Sequence, residues 1–260
     1  MNNENKLMAI KPAFVPQAQA MLAATELPAH NEDSTTESNY DYMLDNRTAI
    51  IPINGVLGHK LTPGQKAMGG VDTLDVIDAV ESAANDAGVD RIVLDIDSPG
   101  GTVGGIPELA ETIEGVQRDG KKQIVAYTDS MMASAAYWAA AGANAIYAST
   151  SSEVGSIGVY MPVVDTSQNL KEQGINVELI KAGKYKGAGF PGVAIDEEVR
   201  NFLQAEVSET YGEFSSFVTK YRPDLGGDKM QGQTFSGKRA AQSGMIDGVK
   251  KNLKSLLETI

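Results

Sequence analysis

The stretch Arg91-Ile-Val-Leu-Asp-Ile-Asp-Ser-Pro-Gly-Gly-Thr102 is a short apolar run that breaks into a Pro-Gly-Gly turn. An apolar run of four to eight residues bounded by turn signals is the pattern of a buried strand. Just beyond it, Ile106–Arg118 carries helical spacing, and Pro107 is tolerated in the first turn of such a helix. Strand, glycine turn and helix in succession make half of a βαβ unit, and a chain built of such units forms a largely parallel sheet.

The same alternation extends in both directions. Upstream, Thr48–Leu57 is a β-rich run ending at Gly58, and Val71–Ala87 places Val71, Leu74, Ile77, Val80 and Ala84 on one helical face. Downstream, the pattern predicts strands at Gln123–Tyr127, Ala145–Ala148, Ile157–Tyr160 and Asn176–Ile180. Helices are expected at Ser134–Ala141, Val164–Gln173, Glu197–Tyr221 and over Ala240–Ile260. Short apolar strands fit a sheet covered on both faces, so the fold class is α/β with βαβ units. Residues 1–46 differ: prolines punctuate a weakly apolar stretch, then Asn31–Asn46 is polar and acidic. We read 1–46 as an irregular N-terminal arm and linker, partly disordered, and 47–260 as the main domain. Accessible residues 31–46 are a candidate for self-cleavage.

Composition narrows the function. With 34 acidic and 22 basic residues the net charge is -12, which argues against nucleic acid as the main partner. The chain has no cysteine, which removes thiol nucleophiles, disulfides and cysteine-rich metal sites. No basic region followed by an apolar run opens the chain, and the most apolar stretch, Ala133–Ala148, is interrupted by Gly142 and Asn144. It is too short to span a bilayer. The expectation is a soluble, cytoplasmic protein without a metal or other cofactor.

Three residues in Gly/Ala-rich settings carry the chemistry: Ser134, then Ser156 and Lys186, 22 and 52 residues further on. A lone serine at a helix start is usually an N-cap, and Ser130 competes with Ser134 for the exposed position at the same turn. A triad would need a histidine. Only His30, in the polar arm, and His59, in a Gly-rich loop, are present. A lysine can replace histidine if its amine is neutral. At a free pKa of about 10.4, roughly one lysine in 2,500 is neutral at pH 7, so burial must lower the pKa by about 3, or roughly 4 kcal/mol. Lys186 has no acidic neighbour in sequence to hold its charge. Ser156, in Gly155-Ser-Ile-Gly158, can orient that amine. The glycines of Asp97-Ser-Pro-Gly-Gly-Thr102 let backbone N–H groups approach a ligand, which makes Gly101 N–H a candidate oxyanion donor, with the Ala135 amide beside it. The residues therefore point to a serine–lysine hydrolase.

In order and spacing these segments resemble peptidase family S49, the signal peptide peptidase A group and its bacteriophage head-protease relatives. The resemblance runs from about Thr48 to Val249 and includes the opening strand with Asn54-Gly55. It also includes Lys184-Tyr-Lys186, and Gly232-Gln-Thr-Phe-Ser-Gly-Lys-Arg-Ala240 followed by Gly244-Met-Ile-Asp247. It implies a ClpP/crotonase-like α/β fold, a Ser–Lys dyad and a homo-oligomer. Carried onto this chain, Ser134 is the nucleophile, Lys186 the base, Ser156 its partner, and Gly101 part of the oxyanion hole. Where the family often has Gly-Gly after the nucleophile, this chain has Ala135-Ala136; where it often has an acidic residue after the lysine, this chain has Gly187. The implied substrates are scaffold or capsid proteins cut during phage head maturation, in the host cytoplasm or procapsid. Three alternatives stand beside this: a soluble bacterial signal-peptide peptidase-like protease, a crotonase-type acyl-CoA enzyme, and a non-catalytic capsid-associated module.

Overall fold

The computed structural model describes residues 6–23 and 42–260. In chain order the first elements are β1 (Met8–Ile10), α1 (Val15–Ala23), β2 (Met43–Asp45), β3 (Thr48–Asn54) and β4 (Val56–Gly58). Next come α2 (Pro63–Ala67), β5 (Gly70–Asp72), α3 (Thr73–Asn85), β6 (Arg91–Asp97), β7 (Gly100–Thr102) and α4 (Ile106–Arg118). The centre holds β8 (Gln123–Thr128), β9 (Met131–Ala133), α5 (Ala135–Ala141), β10 (Ala145–Ala148) and β11 (Glu153–Gly155). The chain closes with α6 (Ser167–Glu172), α7 (Glu197–Tyr221), β12 (Thr234–Ser236), α8 (Gly237–Gln242), β13 (Gly248–Val249) and α9 (Leu253–Leu257).

The main sheet has the order β13-β10-β8-β6-β3-β2. All of its pairs are parallel except β2 with β3, which is antiparallel. The helices between consecutive parallel strands make the expected βαβ crossovers. Alternate side chains of a strand face opposite ways, and β6 uses this fully. Ile92, Leu94 and Ile96 enter the large core beneath α3, α4 and α5, while Val93 joins Val125, Tyr127 and Leu256 under α9. At the centre of the large core Trp138 of α5 stacks on Phe214 of α7, with ring centroids 4.6 Å apart. Every residue of α5 is buried. Its alanines are the reason a helix can pass so close to α4 and the glycine turn.

The central strands do not simply stop. Beyond its carboxyl end, β3 continues into β4, β6 into β7, β8 into β9 and β10 into β11. These short strands form two small sheets, β1-β7-β4-β5 and β12-β11-β9. Side chains at the carboxyl ends of parallel strands are the usual place for a site in α/β folds, and here a second layer of backbone is built over that edge.

Four expectations change. Asn176–Ile180 is irregular rather than a strand. In Ile157–Tyr160 only Tyr160 forms a bridge, to Met8. The helix expected over Val164–Gln173 is confined to α6, and the helical run expected over Ala240–Ile260 divides into the end of α8, β13 and α9. Gly244, at φ 77°, starts the turn that separates α8 from β13. Within the arm, residues 6–23 form β1, a 3-10 turn at Pro12–Phe14 and α1. The stretch 24–41, with His30 and most of the proposed self-cleavage segment, lies outside the described residues.

Candidate active site

Ser134 stands between β9 and α5 at φ 54°, ψ -120°. A side chain rarely adopts a positive φ, and its persistence means the surroundings impose it. They do so from both sides. Ser134 N–H donates to Gly155 O at 2.7 Å, and Ser134 O accepts from Trp138 N–H at 2.9 Å. The result is a sharp strand-to-helix elbow. Its Oγ is buried and has no hydrogen-bond partner, which is costly for a hydroxyl and calls for an explanation.

Facing the elbow is the Asp97-Ser-Pro-Gly-Gly-Thr102 turn. Ser98 locks it: its Oγ donates to Gly55 O at 2.6 Å, its N–H donates to Met131 O at 2.8 Å, and its carbonyl accepts from Ala133 N–H at 3.1 Å. The turn is thereby tied to both β9 and the start of β4. Gly100, at φ 96°, has no room for a side chain. A Cβ there would collide with the Ala9 carbonyl oxygen and would lie 2.9 Å from both the Ala135 nitrogen and the Ser134 Cβ. Gly101 is equally closed in, because a Cβ would run into the Leu57 backbone. These glycines let the backbone of the turn come close to Ser134 and Ala135; the sequence reading expected them to allow such an approach to a ligand. The positioning role of Ser98 was not anticipated, although a serine two residues before Gly-Gly was a readable signal.

Ser156 follows directly on the carbonyl that accepts the Ser134 amide. It too sits at φ 54°, it is buried, and its N–H donates to Gln233 O at 2.8 Å. It lines a cleft of about 320 Å³ together with Tyr160, Val207 and Tyr211. The Tyr160 hydroxyl, buried without a partner, is pushed above the ordinary phenol range by that burial.

The structure thus brings Ser134, Ala135, Gly101 and Ser156 together. Lys186 lies on the exposed irregular segment between α6 and α7. That segment is held to α7 by Tyr185 stacked on Phe202, ring centroids 4.3 Å apart, and by a Lys184–Glu198 ion pair. No hydrogen bond joins Lys186 to either serine, and the burial that a neutral lysine requires is not supplied within one described chain. Of the competitors, Ser130 rather than Ser134 takes the exposed position, in the turn after β8, its N–H donating to Thr128 Oγ1 at 3.1 Å. His59 Nδ1 is 2.8 Å from Thr73 Oγ1, filling the space beside Gly105.

Among the described residues no helix is long and apolar enough to cross a membrane. Comparison with known proteins adds a family. A model described as peptidase family S49 matches residues 116–258. Capsid assembly protease C of Escherichia phage lambda is 30% identical over 236 residues, covering 88% of this chain and 52% of that protein. Head-tail preconnector protein GP5 of Enterobacteria phage P21 is 28% identical, covering 90% of this chain and 47% of that protein. Protease 4 of Haemophilus influenzae is 27% identical, covering 80% of this chain and 33% of that protein. The chain spans about half the length of the two phage relatives.

Proposed function

The chain belongs to peptidase family S49, and from that premise we propose that it is a serine endopeptidase whose nucleophile is Ser134 and whose base is Lys186. The observation that carries the reading is the Ser134 elbow: a buried, unpartnered hydroxyl on strained backbone, set against the Gly100-Gly101 turn and the Ala135 amide. In the reaction Ser134 Oγ forms a bond to the scissile carbonyl carbon, and its proton passes to the Lys186 amine. The oxyanion is received by the N–H groups of Gly101 and Ala135, an effect worth about 3–4 kcal/mol per donor. The lysine then protonates the leaving nitrogen as the C–N bond breaks. Water, giving its proton to the same amine, releases the acyl group. Ser156 orients the amine.

The finer fold assignment, ClpP/crotonase-like, is supported by the strands that turn out of the main sheet into a second layer. We read residues 47–260 as the peptidase domain and 1–46 as an arm appended to it. A homo-oligomer is part of the same reading. Ile175, Ile180 and Phe190 are exposed on the segment that carries Lys186, and covering this segment with a second copy would supply the desolvation a lysine base needs. The two phage relatives favour scaffold or capsid proteins as substrates, in the host cytoplasm or procapsid, over signal-peptide fragments. The test is digestion of an unfolded protein by the wild type, Ser134→Ala and Lys186→Ala, read by mass spectrometry. Fragments from the wild type alone are expected. Full cleavage by Lys186→Ala would remove the dyad, and cleavage by Ser134→Ala the nucleophile.

A further inference from the structure

The strand that carries Gly101 has two edges. One pairs with β4, and the other is covered by β1 from the N-terminal arm. We infer that β1 is an intramolecular plug: Leu7–Lys11 lies where an extended substrate would pair, with the Ala9 carbonyl in the place of the scissile carbonyl. The inference rests on the roles proposed above for Ser134 and Gly101.

The register is specific. Antiparallel pairs alternate between hydrogen-bonded and open. Lys11 N–H donates to Pro99 O at 2.9 Å, and Val103 N–H to Leu7 O at 3.2 Å. The pair midway between them, Ala9 with Gly101, is therefore hydrogen-bonded, and Gly101 N–H points at the Ala9 carbonyl. The contact around Gly100 gives the same answer independently. The Ala9 oxygen, the Ala135 nitrogen and the Ser134 Cβ converge on the space a Gly100 side chain would fill. The proposed oxyanion donors and the nucleophile thus surround one carbonyl of the chain's own arm.

The opposite edge of β1 is also paired. Met8 N–H donates to Tyr160 O at 2.9 Å, and Tyr160 N–H to Met8 O at 3.1 Å. A main-chain ladder on both edges does not depend on side chains, which is how a groove binds extended peptides of varied sequence. With β1 in place Ser134 is only 1% exposed. Past Ile10 the arm runs along the cleft beside Ser156, where a leaving group would lie. Met8 and Ile10 share a small cluster with Ala18, Met21 and Leu22 of the arm and with Val56 and Leu61 beneath it, Ala9 alone reaches the large core, and Lys11 is latched to Glu153 by an ion pair. Ala9 is wholly enclosed, so the position it occupies admits a small side chain, and substrates should be cut after alanine, glycine or serine.

The test releases the strand in the full chain. Met8→Pro with Ala9→Pro removes the N–H groups that face Tyr160 and Gly101. In a Ser134→Ala background, a labelled peptide of the sequence Lys6–Phe14 should bind the released protein at least about tenfold more tightly than the protein whose strand is intact. With Ser134 present, release should raise cleavage of an unfolded protein by about tenfold, with cuts after small residues. Should the proline variant not fold, Lys11→Glu loosens the latch and should move both readouts the same way by a smaller factor, with Glu153→Lys restoring them. Equal peptide binding with and without the strand would overturn the plug. So would loss of hydrogen-exchange protection at the Gly101 and Val103 amides with no gain in peptide binding. Cuts after large residues would overturn the register. Tighter peptide binding with no Ser134-dependent cleavage in any variant would uphold the plug and overturn the proposed nucleophile instead.

Discussion

The backbone at Ser134 carries a penalty that its side chain does nothing to relieve. A non-glycine residue in a sparsely populated region costs about 1–3 kcal/mol. Ser134→Gly removes that penalty, and part of the gain is offset by the freer unfolded chain. We expect Ser134→Gly to be more stable than Ser134→Ala by about 1 kcal/mol in urea denaturation, with both inactive; a less stable glycine variant would show the elbow to be unstrained. A second residue sets a pH dependence. Burial, with Asp129 and Asp97 nearby, holds the Asp95 carboxyl above its ordinary range. The folded protein then binds a proton more readily than the unfolded chain at this position, so this group adds stability as pH falls toward its folded pKa and withdraws it as pH rises. Asp95→Asn should therefore gain stability over the wild type at neutral pH, the gap closing on mild acidification. A gap that widens on acidification would contradict the assignment. Other carboxylates act with the opposite sign. Glu114, held low chiefly by its hydrogen bond from Lys220, loses its contribution as pH falls.

At the scale of elements, the segment carrying Lys186 is fastened by the Tyr185–Phe202 stack and the Lys184–Glu198 pair. Such a stack is worth about 0.5–1.5 kcal/mol, and an exposed ion pair less than about 1. Tyr185→Ala should leave overall stability within about 1.5 kcal/mol of the wild type yet lower kcat about tenfold, because it frees the segment rather than the core. An unchanged kcat would mean that the stack does not position the base. The same scale explains what was legible. Ile106–Arg118, Ala145–Ala148 and Glu197–Tyr221 are found with the limits the sequence pattern predicts, since long periodic or well-punctuated runs carry their own signal. Of the three-residue strands only β4 falls largely within a predicted run; β1, β2, β5, β7, β9, β11 and β12 carry no such signal. Met8-Ala-Ile10 shows no alternation, and its partner lies over ninety residues away, so only tertiary structure pairs them. Asn176–Ile180 has the composition of a strand but no neighbour to complete a ladder. At the site, the glycine turn was readable because it needs a particular backbone, whereas the positive φ shared by Ser134 and Ser156 has no mark in their residue type. The occupant of the groove was not readable either.

The whole molecule leaves one requirement unmet inside a single chain. A lysine that takes a serine proton must be neutral, which asks for desolvation worth roughly 4 kcal/mol. Lys186 is exposed on a segment whose apolar side chains also face water, Ile180 at 88% and Phe190 at 49%. Under the proposed homo-oligomer both deficits are met at once, because a second copy covers the segment. Activity should then depend on assembly. Ile180→Asp touches neither serine, and removing an exposed isoleucine should change the stability of the chain by no more than about 0.5 kcal/mol. In an oligomer the same aspartate would bury a charge in the interface and oppose association. Light scattering should show the variant shifted toward the monomer, with specific activity falling at concentrations where the wild type remains assembled. A variant that stays assembled and active, or a wild-type monomer with full activity, would place the desolvation of Lys186 in a rearrangement of its own chain.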